Sequence, residues 1–408
     1  MAFLHGIEHI DLPSDFAPVN DIVTAVIGLV GTADVSYEGD PNGWQPNTLY
    51  LCTSEKDDAR FGKIGTISES LKSIRMQSSK RGSSLVFVIP VGNETQTITP
   101  SQIVGDISVT GTRTGLKLFE TAKQRFGFEP MIYIAPHFSA LSAVANELQA
   151  IAFKNEAMSY IDAPDGMTWE QAMSSRQPSG QFSNLDEGCK LLFPAFIIPN
   201  PAFIDEDTTP SIPQFLNQPM SAFAAGLRAK VDLENGWHFS SSNNRIFGVS
   251  GMDVDLTFSL GDPNSEVNLL NANGVTTAVS LPGRGIVEWG NRTTGFPGNT
   301  GLDVFECVRR TRAIMKRTID ASVIQFLDKP FIQANVDAIR NTVNQFLNQL
   351  MAQGKLIYGK CYYRPESNPI GQLAMGHLTF DVEFTPSIPM ERLTFTHKID
   401  LNQLKSIA

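Results

Sequence analysis

The residues able to do chemistry are scattered along this chain. His5 and His9 stand four apart, the spacing that puts two imidazoles on one helix face and suits a metal ion. Pro13 follows closely and no carboxylate or cysteine cluster surrounds them, so an exposed N-terminal segment is the plainer reading. Ser250 in "IFGVSGM" stands among glycines like the nucleophile of a strand-to-helix elbow. Gly251 follows it directly, however, where the elbow needs a glycine two places on. A tight turn explains the same residues. "GLVGTA", residues 28–33, follows a strand pattern as a dinucleotide loop would, but lacks the third spaced glycine and opens no helix. Asp205, Glu206 and Asp207 form an acidic run in a proline-flanked stretch, which reads as a solvated loop. Asp262, Glu266 and Glu288 supply carboxylates with nothing to indicate convergence. The four cysteines, Cys52, Cys189, Cys307 and Cys361, form no CxxC pair and read as buried thiols. These patterns predict no enzyme, no metal site and no cofactor.

One charged feature stands out. "CVRRTRAIMKRT" places Arg309, Arg310, Arg312, Lys316 and Arg317 on one expected helix. Arg309, Arg312 and Lys316 fall at spacings of three and four, so they share a face. A solvated helix face is one reading. In a chain of net charge −10, five close cations also suit an acidic partner. The overall acidity argues against a general nucleic-acid binder. The N-terminus lacks the charged and apolar regions of a signal peptide. No run approaches the roughly 20 apolar residues of a membrane helix, so membrane insertion is not expected and a cytoplasmic origin is.

The elements that would position these residues follow from pattern. The chain has 408 residues, 42% of them hydrophobic, enough for two or three domains with real cores. "NDIVTAVIGLVGTA", "NTLYLCTS", "SSLVFVIPVG", "PMIYIAP" and "EAMSYIDAP" read as buried strands. Helical patterns alternate with them near residues 66–82, 114–125 and 138–153. Strands alternating with helices imply an α/β layer with largely parallel pairing. "CKLLFPAFIIPNP" reads as one further strand, and residues 220–233 as a helix. The last third changes character. Residues 304–324 and 331–352 read as long helices, the second with an apolar stripe at Ile332, Val336, Ile339, Val343, Phe346 and Leu350. "KLIYGKCYY", "HLTFDVEFTP" and "RLTFTHKID" read as strands. The expected organisation is an arm at 1–20, an outer α/β domain at 21–255, an inner α+β domain at 256–385, and an arm at 386–408.

Several blocks resemble, in order, the tail sheath proteins of contractile-tailed bacteriophages, a family shared with R-type bacteriocins. They are "HGIEHIDL", "TAVIGLVGTA", "YIAPHFS", "AFAAGLRAKVDLENGWHFSSSNNRIFGVSG", "LGDPNSEVNLLNANGVTTAV", "EWGNRT", "VRRT" and "GHLTFDVEFTPSIPMERLTF". Residues 222–293 carry most of the specificity.

The resemblance implies a two-domain structural subunit, α/β with extended terminal strand arms. Such subunits stack as hexameric rings around a tail tube, in a helical assembly started by a baseplate and closed by a tail terminator protein. They contract to drive the tube through an envelope, with no nucleotide hydrolysed. The expected location is the virion tail, assembled in the host cytoplasm; the alternatives are the sheath of a bacteriocin or other contractile injection device, and a soluble α/β enzyme whose catalytic residues go unrecognised. Ile7, His9 and Ile10 in one arm, and Leu393, Phe395 and His397 in the other, would add strands to a small sheet on neighbouring copies. The basic helix residues are the expected tube contact, with residues 368–377 the competing candidate. In the family reading, Asn264, Glu266, Asn268, Asn271 and Asn273 fix turns, and Trp289 anchors a buried strand.

Overall fold

The computed structural model describes residues 23–200, 203 and 213–401. The apolar β-branched run after Val23 forms β1 (Val26–Ala33), buried at every position. Burial on both faces marks a central parallel strand. Its alternate side chains serve two cores, Ile27 and Leu29 on one face, Val26 and Val30 on the other. β2 (Tyr50–Cys52), β3 (Leu85–Asn93), β4 (Ile132–Ile134), β5 (Met158–Asp162) and β6 (Cys189–Leu192) extend the same sheet. β7 (Phe196–Pro199), β8 (Phe215–Gln218) and β9 (Gly251–Met252) form a separate three-stranded sheet. The single strand expected over 189–201 is therefore two, which part at Phe193–Pro194 to join different sheets.

β10 (Val275–Leu281) and β11 (Gly285–Trp289) return to the large sheet, whose order is β11-β10-β6-β5-β4-β1-β3-β2. Its interior pairs are parallel, and antiparallel β2 and β11 close the two edges. The helices Thr66–Met76 and Met220–Glu234 cover one face and Ser142–Lys154 the other. The first two meet closely at Gly226, where any Cβ would lie 2.8 Å from the Ile74 carbonyl oxygen. Strands alternating with helices thus give the α/β layer expected.

The boundary expected near residue 255 is corrected. Val275 and Thr276 of β10 pair in register with Leu191 and Leu192 of β6, so the large sheet runs through residue 289. The second unit begins with the helix Glu306–Val323. It continues through the helix Gln333–Ala352 to an antiparallel pair, β12 (Leu356–Tyr362) and β13 (Asp381–Pro386). The predicted stripe enters its core at Val343, Phe346 and Leu350; Val336 is buried, Ile339 half-buried and Ile332 exposed. Met131 and Trp237 of the first unit complete that core.

Residues 260–293 do more than form turns. They make the helix Glu266–Ala272 and the hairpin β10–β11. The asparagines do bond backbone: Asn268 donates to the Asp262 carbonyl at 2.6 Å, Asn271 to Val267 at 2.9 Å and Asn273 to Leu269 at 2.8 Å. Trp289 is only half-buried, edge-on to Phe258; Val287 and Glu288 are the buried residues of the strand.

Candidate assembly site

Among the described residues, no group of three histidines, cysteines or acids is placed to hold a metal. "GLVGTA" lies inside β1, and Ser250 donates its backbone N–H to Ile197 as the chain enters β9. All four cysteines are buried and free. His5, His9, Ile7, Ile10 and the run 205–207 lie outside the described residues. No described helix is long and apolar enough to cross a membrane.

The basic residues do lie on one helix, Glu306–Val323, but acids of the same chain answer each of them. Arg309 is buried, with Glu187 at 3.7 Å. Arg310, 1% exposed, is paired with Asp232. Arg312 pairs with Asp303, Lys316 with Glu156 at 2.6 Å, and Arg317 with Glu129 at 3.3 Å. The expected outward cationic face is thus corrected for Arg309, Arg310 and Arg317, whose side chains point into the subunit. Arg312 and Lys316 retain solvent access.

Behind that helix lies a buried ionic network. Lys190 of β6 meets Glu288 of β11 at 2.5 Å and Glu306 at 2.9 Å. Tyr160 donates to Glu306, and Ser241 to Glu288 at 2.8 Å. Arg228 and Arg310 share Asp232. Three cations thus face three anions, which is how buried charge becomes tolerable. Burial acts to raise the Glu306 pKa, but Lys190, Arg228 and Arg310 outweigh it and hold the carboxyl down at about 2. Burial likewise opposes the Lys190 charge, and Glu288 and Glu306 overcome it to raise that pKa. The network ties three strands, β5, β6 and β11, and two helices at the junction of the units. Sequence reasoning missed it, although single charges within apolar runs, "CKLLF" and "IVEW", are its signal.

The distal sheet is small. Val382 and Phe384 of β13 pack towards the helix Gln333–Ala352, and Glu383 and Thr385 face solvent. The segment after β13 is not the strand expected. Among the described residues, 387–400 pair with nothing as a ladder, and Leu393, Phe395 and Ile399 are 66%, 77% and 85% exposed; His397 is exposed too. The competing segment, 368–377, buries Asn368 and exposes Ile370 and Met375 around the short helix Ile370–Ala374.

Comparison with known proteins then decides the family. Residues 111–294 match the phage tail sheath protein central domain, and residues 304–400 the phage tail sheath C-terminal domain. The major tail sheath protein of Serratia phage KSP20 is 33% identical over 96% of this chain and 94% of its own length. The chain belongs to the phage tail sheath protein family. The tail sheath protein of Burkholderia phage BcepMu is 36% identical over 76% of the chain and 64% of its own length. Sheath subunits are structural proteins, not enzymes. The fold matches the anti-feeding prophage helical sheath in its contracted state, with a TM-score of 0.70, 17% identity, and 98% and 100% coverage of the two chains. The contracted PVC sheath complex of an extracellular contractile injection system gives 0.67 and 14%, with 99% of each chain covered. The break between the two matched family domains, at 294–304, falls where the sheath subunit leaves its large sheet.

Proposed function

We propose that this sheath subunit polymerises with copies of itself as hexameric rings stacked helically around a tail tube, and that contraction of the stack drives the tube through a target envelope. The observation carrying this reading is an apolar arm, Leu393, Phe395 and Ile399, that no core covers among the described residues, in a chain whose last sheet has two described strands. Two strands alone are marginal in water, and added strands stabilise them. Each such side chain contributes about 1.5–3 kcal/mol when fully buried. Repetition along a lattice sums those terms, less the cost of ordering the arm.

The same reading gives the subunit a baseplate below, a tail terminator above and a place in the virion tail, after assembly in the host cytoplasm. It assigns no nucleic acid. Arg312 and Lys316 remain the candidate tube contacts on the basic helix, with residues 368–377 as the rival. The likeness in fold to the anti-feeding prophage and PVC sheaths supports a second use, in a bacteriocin or another injection device.

Negative-stain microscopy of the full chain tests the core of the proposal. Hollow tubes with helical striation are expected. A chain that stays monomeric at all concentrations, in the presence of its tube protein, contradicts it.

A further inference from the structure

The first unit carries a cationic surface that its own acids do not answer. Lys230 Nζ and Arg245 Cζ lie 4.5 Å and 5.0 Å from the centre of the exposed Phe247 ring. Arg284 stands beside them at the β10–β11 turn, bonded to the side-chain and backbone carbonyl oxygens of Asn243 at 2.7 Å each. The same turn approaches Arg245: a Cβ on Gly285 would lie 3.3 Å from its Nε. Arg81 donates to the Leu233 carbonyl at 3.4 Å, one turn along the helix Met220–Glu234 from Lys230. Gln77 holds the Phe247 backbone twice, accepting its N–H at 3.0 Å and donating to its carbonyl at 2.8 Å. Among the described residues none of these four cations forms an ion pair, and Glu234, at the end of that helix, pairs with none of them. Cations already held beside a ring lose little freedom on docking.

At the other end of the same helix the sign reverses. Met220, its first residue, lines a pocket with Asp165 and Asp253. Burial, and then the Asp165 charge, push the Asp253 carboxyl above its ordinary pKa, and Asp253 Oδ1 is buried without a hydrogen-bond partner. Asp255 follows two residues on and is exposed. Among the described residues no lysine or arginine pairs with these three acids. Lys230 stands ten residues from Met220, about 15 Å along the helix. That exceeds the roughly 8 Å over which exposed charges act at physiological salt. One subunit therefore leaves both surfaces unneutralised.

We propose that Arg81, Lys230, Arg245 and Arg284 dock on Asp165, Asp253 and Asp255 of a second copy of this chain, with Phe247 between them. This rests on the polymerisation reading above and names one contact within it. Unlike patches at two ends of one unit join head to tail, so the contact repeats from copy to copy instead of closing a pair. Four unpaired cations call for an acidic occupant, and a chain of net charge −10 supplies one in every copy. Docking also brings the unpartnered Asp253 oxygen a charged donor.

Charge reversal at exposed positions of the full chain tests the contact. Arg81→Glu with Arg245→Glu reverses one surface, and Asp165→Arg with Asp255→Arg the other. Each pair should raise the concentration at which tubes form by about tenfold or more, the factor that about 1.4 kcal/mol sets, and most strongly at low salt. All four substitutions in one chain should restore tubes. If wild type forms tubes and both reversed chains match it, the contact falls and polymerisation stands; if wild type stays monomeric, polymerisation falls as well. Losses that accumulate in the fourfold chain overturn the pairing, and so does a loss confined to one of the two surfaces, which would give that surface a different partner. Carbodiimide crosslinking of wild-type tubes needs no variant and covers reversed chains that misfold. With isotopically labelled and unlabelled chains mixed, Lys230 should link to Asp165, Asp253 or Asp255 of another chain in tubes and not in unpolymerised chains. Tubes in which Lys230 links only to other acids, or to none, overturn the contact.

Discussion

Arg292 forks onto Glu391, with Nε to Oε1 at 2.7 Å and Nη2 to Oε2 at 2.6 Å, across 99 residues of chain. The guanidinium also lies over the rings of Phe296 at 4.0 Å and Phe305 at 5.0 Å. Arg292 stands just after β11 and bridges to Phe305, where the large sheet hands over to the helix Glu306–Val323. The C-terminal arm is therefore rooted at the joint of the two units, and its direction of departure is set there. Two parallel N–H···O bonds fix orientation as well as distance.

Replacing Glu391 with Ala should separate that role from stability. Both side chains are partly exposed, so losing the pair costs only about 0–1 kcal/mol. Thermal melting of the unpolymerised chain should scarcely move, while the yield of sedimentable tubes falls because the arm leaves in many directions. Tubes formed at wild-type yield and length would show that the fork is incidental.

Asn344 should matter differently. Its replacement by Ala strips partners from the Cys361 N–H and C=O in a half-buried setting. Leaving such groups unmade costs about 1–3 kcal/mol. It also uncaps the β12 edge of the distal sheet, and an exposed edge recruits strands. We expect a lower melting temperature together with irregular, branched aggregates. A variant with unchanged melting that forms only regular tubes contradicts the capped-edge account.

Much of this was legible in the sequence, for identifiable reasons. β1 and β3 are continuous apolar runs because they are buried on both faces, and such runs announce themselves. The stripe on Gln333–Ala352 was readable from its period alone. Tertiary pairing was not. Arg309, Arg310 and Arg317 show helical spacing, but Glu187, Asp232 and Glu129, which neutralise them, lie 122, 78 and 188 residues away in the chain. The domain boundary failed for a similar reason. The change in composition near residue 255 is local, whereas the return of β10 to β6 is a long-range event. "RLTFTHKID" has the alternation of a strand, yet a strand needs a partner edge, and among the described residues it has none.

Lys190 gives a test of the buried network. Lys190→Met leaves Glu288 and Glu306 without their shared cation. Removing one partner of a buried pair typically costs about 3–5 kcal/mol. Urea unfolding should show a loss of that order, and a variant within 1 kcal/mol, roughly the scale of an exposed pair, would mean that water reaches the site.

The network also has a pH signature. The Glu306 carboxyl titrates at about 2 when folded, below its ordinary 4.5. A lowered pKa contributes stability that is present above the unfolded value and lost as pH falls through the folded one. The window for Glu306 is therefore from about pH 4.5 down to about 2. Glu306→Gln should be less stable than wild type at pH 6, and the gap should narrow across that window. A constant gap at every pH would place the loss in packing rather than in charge.

The last prediction separates buried from accessible cations on the basic helix. Arg310→Glu sets a carboxylate against Asp232 in a site 1% exposed, and strips Asp232 of one of its two cations. An uncompensated buried charge costs enough to prevent folding. The variant should give insoluble or protease-sensitive chain. Lys316→Glu differs, because that side chain is 50% exposed and its bond to Glu156 is worth about 0–1 kcal/mol. The subunit should fold and form tube-free polymers. If Lys316 and Arg312 grip an acidic tail tube, Lys316→Glu should also weaken sheath–tube attachment. The effect should be largest at low salt, since the attraction between exposed charges is screened over about 8 Å at physiological ionic strength. Wild-type recovery of sheathed tubes at both low and high salt would remove the basic helix from consideration and leave residues 368–377 as the tube-facing segment to mutate next.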